Sequence, residues 1–191
     1  MRFFKRFNLL KSDVMSYSNI PAGKDAPNDI YVIIEIPANA APIKYEIDKD
    51  SDALFVDRFM GTAMFYPANY GYVPNTLSED GDPLDALVLV TNPTYPGILI
   101  EARPIGLLQM KDAGDLDDKI ICVSTNDPRY LHTTDISDIE DHYRSEIAHF
   151  FQVYKDLEGK KVEILGWQSA KEAKSIIVES IKRYKNTLKK F

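Results

Sequence analysis

One cysteine and three histidines are all that 191 residues contain of these types, and each scarcity closes off a chemistry. With Cys122 alone, no intramolecular disulfide can form. Its place inside the apolar run KIICVS makes it a buried strand thiol rather than a nucleophile, and such cysteine usage fits a reducing cytoplasm. The histidines are too few and too far apart for a metalloprotease motif. HYRSEIAH spaces His142, Glu146 and His149 along a helix, but no histidine stands four residues from another in the H-E-x-x-H manner. No stretch approaches the roughly 20 apolar residues of a membrane-spanning helix. Positive charge is short as well: 23 Lys and Arg against 29 Asp and Glu leave a net charge of −6, without the concentrated basic surface that a nucleic-acid partner calls for. Internal repeats and low-complexity linkers are absent.

What remains is an ordinary globular composition, 45% hydrophobic, long enough for one substantial core. MRFFKRFNLL at the start is basic and aromatic like a targeting peptide, but Lys11, Ser12 and Asp13 interrupt it before any adequate apolar segment forms. Residues 1–14 are therefore expected to be a flexible extension, or an artefact of start-codon choice, and residues 15–191 a single domain.

Strand-like pieces fill the first two thirds: DIYVIIEI ending at Ile36, IKYEI from Ile43, ALFVDRF from Ala53, ALVLV from Ala86, GILIEARPIGLLQM from Gly97 and KIICVS from Lys119. They are short, rich in Val, Ile and Tyr, and punctuated by Pro, Gly, Asn and Asp, which predicts a small barrel or sandwich. Helical spacing comes late. Ile139, Tyr143, Ile147, Phe150, Tyr154 and Leu157 recur at three and four residues, as do Ile177, Ile181, Tyr184 and Leu188, with Ser169 and Glu172 spaced as a capping box before the second run.

The chemistry is concentrated in acidic loops. EDGDPLDALVLV crowds Asp80, Asp82 and Asp85 against a segment that reads as buried strand, and like charges at that range resist ionisation unless a cation sits among them. Gly81 and Pro83 allow a plain turn, but a turn uses one Asp and leaves two unexplained. KDAGDLDDK adds Asp112, Asp115, Asp117 and Asp118 between two further strand-like runs; alone it reads as a solvated hairpin tip. Two such loops converging on one barrel mouth would offer the oxygen ligands that Mg²⁺ takes. A helix–loop–helix calcium loop fails, because counting from Asp80 places Leu84, Asp85 and Thr91 where an oxygen ligand, glycine and glutamate belong. Lys44, Arg58 and Lys119 lie in strand-like segments, where a long cationic side chain can also snorkel outward. Together with Tyr66, Tyr70, Tyr72, Tyr154 and Lys155, they are the donors that a phosphate ester or anhydride beside a metal would require.

These residues carry a family resemblance. DGDPLDALV, IPANAAPIKYEID, LFVDRFMGTAMFYPANYGYVPNTL and IAHFFQVYKDLE resemble soluble family I inorganic pyrophosphatases of the bacterial type, from about Asn19 to the C-terminal helix. The resemblance implies an α+β, mainly β fold: an OB-like five-stranded barrel flanked by two helices in the C-terminal half. It implies a cytoplasmic, Mg²⁺-dependent hydrolase of pyrophosphate, assembled as a homohexamer, with no nucleic-acid or membrane partner. Carried over position by position, it makes Asp80, Asp85, Asp112 and Asp117 the Mg²⁺ ligands and Asp82 the general base. Lys44, Glu46, Arg58, Tyr70, Lys119, Tyr154 and Lys155 hold the phosphates, Glu35 and Glu46 sit at the site edge, and His149 lies near a subunit interface. One departure stands out: relatives often carry an acid directly after the residue matching Asp112, where this chain has Ala113. Two other classes share parts of the pattern. One is an OB module stacking single-stranded nucleic acid on Tyr66, Tyr70 and Tyr72; the other is a phosphate-binding or metal-storage protein without turnover.

Overall fold

The computed structural model describes residues 16–49 and 51–189; the expected N-terminal extension over residues 1–14 lies outside the described residues. In chain order the elements are β1 (Ile30–Ile36), β2 (Ile43–Ile47), β3 (Leu54–Phe59), β4 (Asn69–Val73), β5 (Leu84–Leu89), β6 (Leu99–Asp112), β7 (Asp115–Leu116), β8 (Lys119–Ser124), α1 (Asp141–Val153), β9 (Val162–Ser169) and α2 (Ala170–Leu188).

Five strands form a closed ring of pairings. β1 pairs antiparallel with β4 and with β6, β4 with β5, and β6 with β8, while β5 and β8 run parallel. Closure depends on the length of β6. Its first residues pair with β1, its middle with β8 and its second half with β9, and a register shift between Pro104 and Gly106 bends it from one partner toward the next. β2 and β3 form a separate two-stranded ribbon. The expected mainly β barrel with two helices in the C-terminal half is borne out.

The continuous apolar runs have a physical cause. In β5, Leu84, Ala86 and Val88 join one buried cluster, which includes Ala173 and Ile177 of α2, while Leu87 and Leu89 join a second, which includes Ile147, Phe150 and Phe151 of α1. β8 divides in the same way, with Ile120 and Cys122 in the first cluster and Ile121 and Val123 in the second. Strands covered on both faces lose the apolar–polar alternation of a half-exposed sheet. Cys122 is fully buried, and burial pushes its thiol above the ordinary range.

Two strands carry no such signal. β4 reads NYGYV inside a stretch of turn-forming residues, yet Gly71 is there for close approach: a Cβ would stand 1.8 Å from the Ile33 carbonyl oxygen of β1. β9 contains Gly166 at φ 138 and alternates half-buried with exposed positions. The first helical pattern also overreaches. α1 ends at Val153, a 3₁₀ turn over Asp156–Glu158 follows, and Gly159 at φ 70 stops it, leaving Leu157 79% exposed. Ser169 caps α2 as its spacing predicts, accepting the Lys171 N–H at 3.2 Å and contacting Glu172.

Candidate active site

The loop between β4 and β5 and the β6–β7–β8 segment open on one cavity of about 350 Å³. Each wall follows from local structure. On β2, Lys44 and Glu46 are two residues apart and share a face, and Lys44 is registered against Arg58 of β3. Tyr72 of β4 is registered against Asp85 of β5. Asp112 ends β6, while Ala113 and Gly114, at φ 51 and 102, form the tight turn that returns the chain to Asp115. That left-handed turn suits glycine and is uncommon for alanine. Asp117 follows β7, Lys119 opens β8, and Tyr154 and Lys155 follow α1 directly. All twelve residues to which the resemblance gives a metal, base or phosphate role, from Lys44 to Lys155, line this cavity, whereas Asp118 of the second acidic segment does not.

Their contacts sort the carboxylates by environment. Asp85 accepts from the Tyr70 hydroxyl at 2.6 Å and from Lys119 Nζ at 2.5 Å. Lys119 also bonds Asp117, and Lys155 bonds Asp112, whose Oδ1 is buried without a partner. Burial alone would lower the Lys119 amine, but Asp85 and Asp117 outweigh it and hold the amine above its ordinary value. Burial raises the Asp117 carboxyl, with Asp85 and Asp112 adding to it, against the attraction of Lys119. Burial, with Asp85 beside it, keeps the Tyr70 phenol protonated and a donor.

In the opposite loop, Asp80 and Asp82 are exposed. The Asp80 carboxylate accepts the Asp82 N–H at 3.0 Å, and Asp82 meets Lys49 at 3.0 Å. Lys49 also lines the cavity and was not singled out from the sequence, since a lysine in a charged turn carries no periodic signal. Glu35 of β1 lines the cavity. It is buried, accepts the Ile47 N–H at 2.9 Å and so ties β2 to the barrel; burial first, and then Asp85 and Glu46, push its carboxyl up to about 8. His132, His142 and His149 are exposed and none lines the cavity.

Eight carboxyl side chains and five cationic ones line the cavity, and setting aside Glu35, held up at about 8, seven acids still leave a surplus of negative charge among oxygen donors. Among the described residues no three His, Cys, Asp or Glu side chains form a closed metal-binding group; amines of Lys119 and Lys155 stand against the acids instead.

Comparison with known proteins decides the family. The family model described as inorganic pyrophosphatase matches residues 32–185. The chain belongs to the inorganic pyrophosphatase family. It is 57% identical to the inorganic pyrophosphatase of Escherichia coli strain K12 over 175 residues, covering 90% of this chain and 99% of that protein. Inorganic pyrophosphatase 1 of Pseudomonas syringae pv. tomato is 57% identical over 174 residues, with the same coverage. Among solved structures, the inorganic pyrophosphatase of Thermus thermophilus superposes with a TM-score of 0.86 at 42% identity, covering 90% of this chain and 99% of that one. Membership in this pyrophosphatase family bears out the expected class, an inorganic diphosphatase, and the structural neighbours share the barrel.

Proposed function

We propose that the chain hydrolyses inorganic pyrophosphate to two orthophosphates with Mg²⁺ and with Asp82 as general base. The observation that carries this reading is the charge surplus of the cavity. Pyrophosphate is itself a polyanion, and with the Glu35 carboxyl held up at about 8, seven acids against five cations would still repel it unless further cations were bound. The donor set fits such cations: carboxylates from both acidic segments line the cavity with no His or Cys among its lining residues, the chemistry of hard divalent ions, and the partnerless Asp112 Oδ1 is a buried oxygen in need of one. Asp80 and Asp85 of the first acidic segment and Asp112 and Asp117 of the second would hold Mg²⁺. Bound there, Mg²⁺ supplies a lowered pKa for the attacking water and neutralises charge on the phosphate oxygens.

The remaining steps belong to the chain. Lys44, Arg58, Lys119 and Lys155 counter the charge of the substrate, Tyr70 and Tyr154 donate hydrogen bonds to it, and Glu46 orients Lys44. Asp82, exposed and within reach of water, accepts the proton as the water oxygen bonds to one phosphorus and the bridging P–O bond breaks. The second phosphate departs with the bridging oxygen. By family resemblance we further propose a cytoplasmic homohexamer with residues 15–191 as its working unit. No helix among the described residues is long and apolar enough to cross a membrane.

Phosphate release from pyrophosphate tests the reading. Two orthophosphates per pyrophosphate should appear with Mg²⁺ and stop when a chelator removes it. Tight binding of pyrophosphate without release would instead mark a phosphate-binding or storage protein.

A further inference from the structure

The loop that carries Asp80 and Asp82 is held from behind by α2. Arg183 Nε donates to the Leu77 carbonyl at 2.9 Å, its Nη2 donates to Ser180 Oγ at 3.2 Å, and its Nη1 stands 3.6 Å from the Glu79 carboxylate. The Leu77 N–H donates in turn to the Ser180 carbonyl at 3.1 Å, and Ser180 is fully buried. Behind the loop a small cavity of about 60 Å³ is lined by Arg183 and shares Asp80, Asp85 and Asp117 with the larger one. The guanidinium and the candidate active site are thus separated by little more than the loop itself.

The loop needs such an anchor. It packs Glu79, Asp80, Asp82 and Asp85 into a short segment whose tip over residues 79–82 is exposed, so mutual repulsion favours opening. Thr76 closes its base, donating to the Val73 carbonyl at 2.6 Å and accepting the Leu84 N–H at 2.9 Å, but does not reach the tip. A planar guanidinium offers directed donors from one fixed fork, which a lysine cannot reproduce. We propose that Arg183 is a positioning residue for the reaction: through the Leu77 carbonyl and Glu79 it sets where Asp80 and Asp82 stand over the cavity. The inference rests on the roles proposed above for those two acids.

The test compares Arg183→Met, Arg183→Lys and Lys182→Met, an exposed cation one position away on the same helix. Three quantities are measured: kcat and KM for pyrophosphate at saturating Mg²⁺, thermal stability, and amide hydrogen exchange across residues 77–84 without substrate or metal. Misplacing a catalytic group by about 1 Å can cost as much as about 10²-fold in rate, and a tilted loop should cost less. Arg183→Met should lower kcat about tenfold with KM within about twofold, and speed exchange about tenfold in residues 77–84 but not in β5 or β8. Arg183→Lys should keep stability and lose about threefold in kcat, and Lys182→Met should match the wild type. Wild-type kcat or unchanged loop exchange in either Arg183 variant overturns the proposal. So does an equal loss in Lys182→Met, or faster exchange throughout the barrel. If Arg183→Met fails to fold, Arg183→Lys alone decides. A wild type that releases no phosphate would overturn the proposed function, while the substrate-free exchange would still judge the anchor.

Discussion

In the loop between β4 and β5, Asp82 meets Lys49 at 3.0 Å with both side chains more than half exposed, whereas on the far wall Asp112 and Asp117 are met by the buried amines of Lys155 and Lys119. The attraction is between the same kinds of group, but the surroundings differ. An exposed pair is worth roughly 0–1 kcal/mol, because water screens it and two long side chains must be ordered. Removing one member of a buried pair costs about 3–5 kcal/mol, because a charge is left in a poor solvent. The loop can therefore trade protons and partners with water at little cost, while the wall is a fixed array of charges. The proposed general base, Asp82, stands in the first setting beside the proposed ligand Asp80, while the proposed ligands Asp112 and Asp117 stand in the second.

The sharpest way to break this comparison is to neutralise one acid on each side of the proposed division. Asp82→Asn should lower turnover by roughly 10²–10⁴, the usual contribution of a general base, and excess Mg²⁺ should not restore it. Asp85→Asn should lose metal affinity instead, so that more Mg²⁺ recovers part of the rate. A Mg²⁺ titration of pyrophosphate hydrolysis, with metal binding followed by calorimetry, separates the two. Rescue of Asp82→Asn by Mg²⁺ would reverse the assignment.

The wall is tested by removing its cation. Lys119→Met leaves Asp85 and Asp117 facing each other and should destabilise the metal-free protein by about 3–5 kcal/mol. Mg²⁺ should then raise its melting temperature more than that of the wild type, since an added cation replaces the missing one. Equal Mg²⁺ shifts in the two proteins would argue that no ion binds between these acids.

Glu35 reports on the same charges from β1. Its carboxyl is held up at about 8 in the fold against an ordinary 4.5, so the folded chain keeps a proton there that the unfolded chain gives up. The stability from this group is fully present below 4.5 and is lost as pH rises toward about 8. Glu35→Gln should flatten that part of the profile in metal-free protein. Parallel denaturation midpoints for both proteins across this range would rule the effect out.

The smallest effect is expected at Asp115, which lines the cavity from the exposed β7 with no buried cation against it. Asp115→Asn should change turnover by less than about twofold, as for an ordinary surface position. A loss of tenfold or more in a steady-state assay would extend the fixed wall to this residue.

The strands buried on both faces were legible because their apolar runs are unbroken, and α1 and α2 because their spacing repeats. β4 and β9 were not. Gly71 and Gly166 break any strand pattern, and the need for Gly71 exists only once β1 lies against it. Lys49 escaped notice because an exposed lysine beside acids looks the same in any turn. The burial of Glu35 was not legible, because a single acid in an apolar strand gives no measure of it; the contact with Ile47 of β2 does.

By itself the sequence determined which segments must be buried, which residue types were available for chemistry, and the family to which the chain belongs. Hydrophobic periodicity and local motifs depend on neighbours along the chain, so they survive in one dimension. Only the tertiary structure decided that the two acidic segments, the ribbon and the end of α1 share one cavity, and which acids face water and which face buried amines. Those outcomes turn on distances of a few ångströms between residues far apart in the chain, and on the dielectric that the packed barrel creates around them.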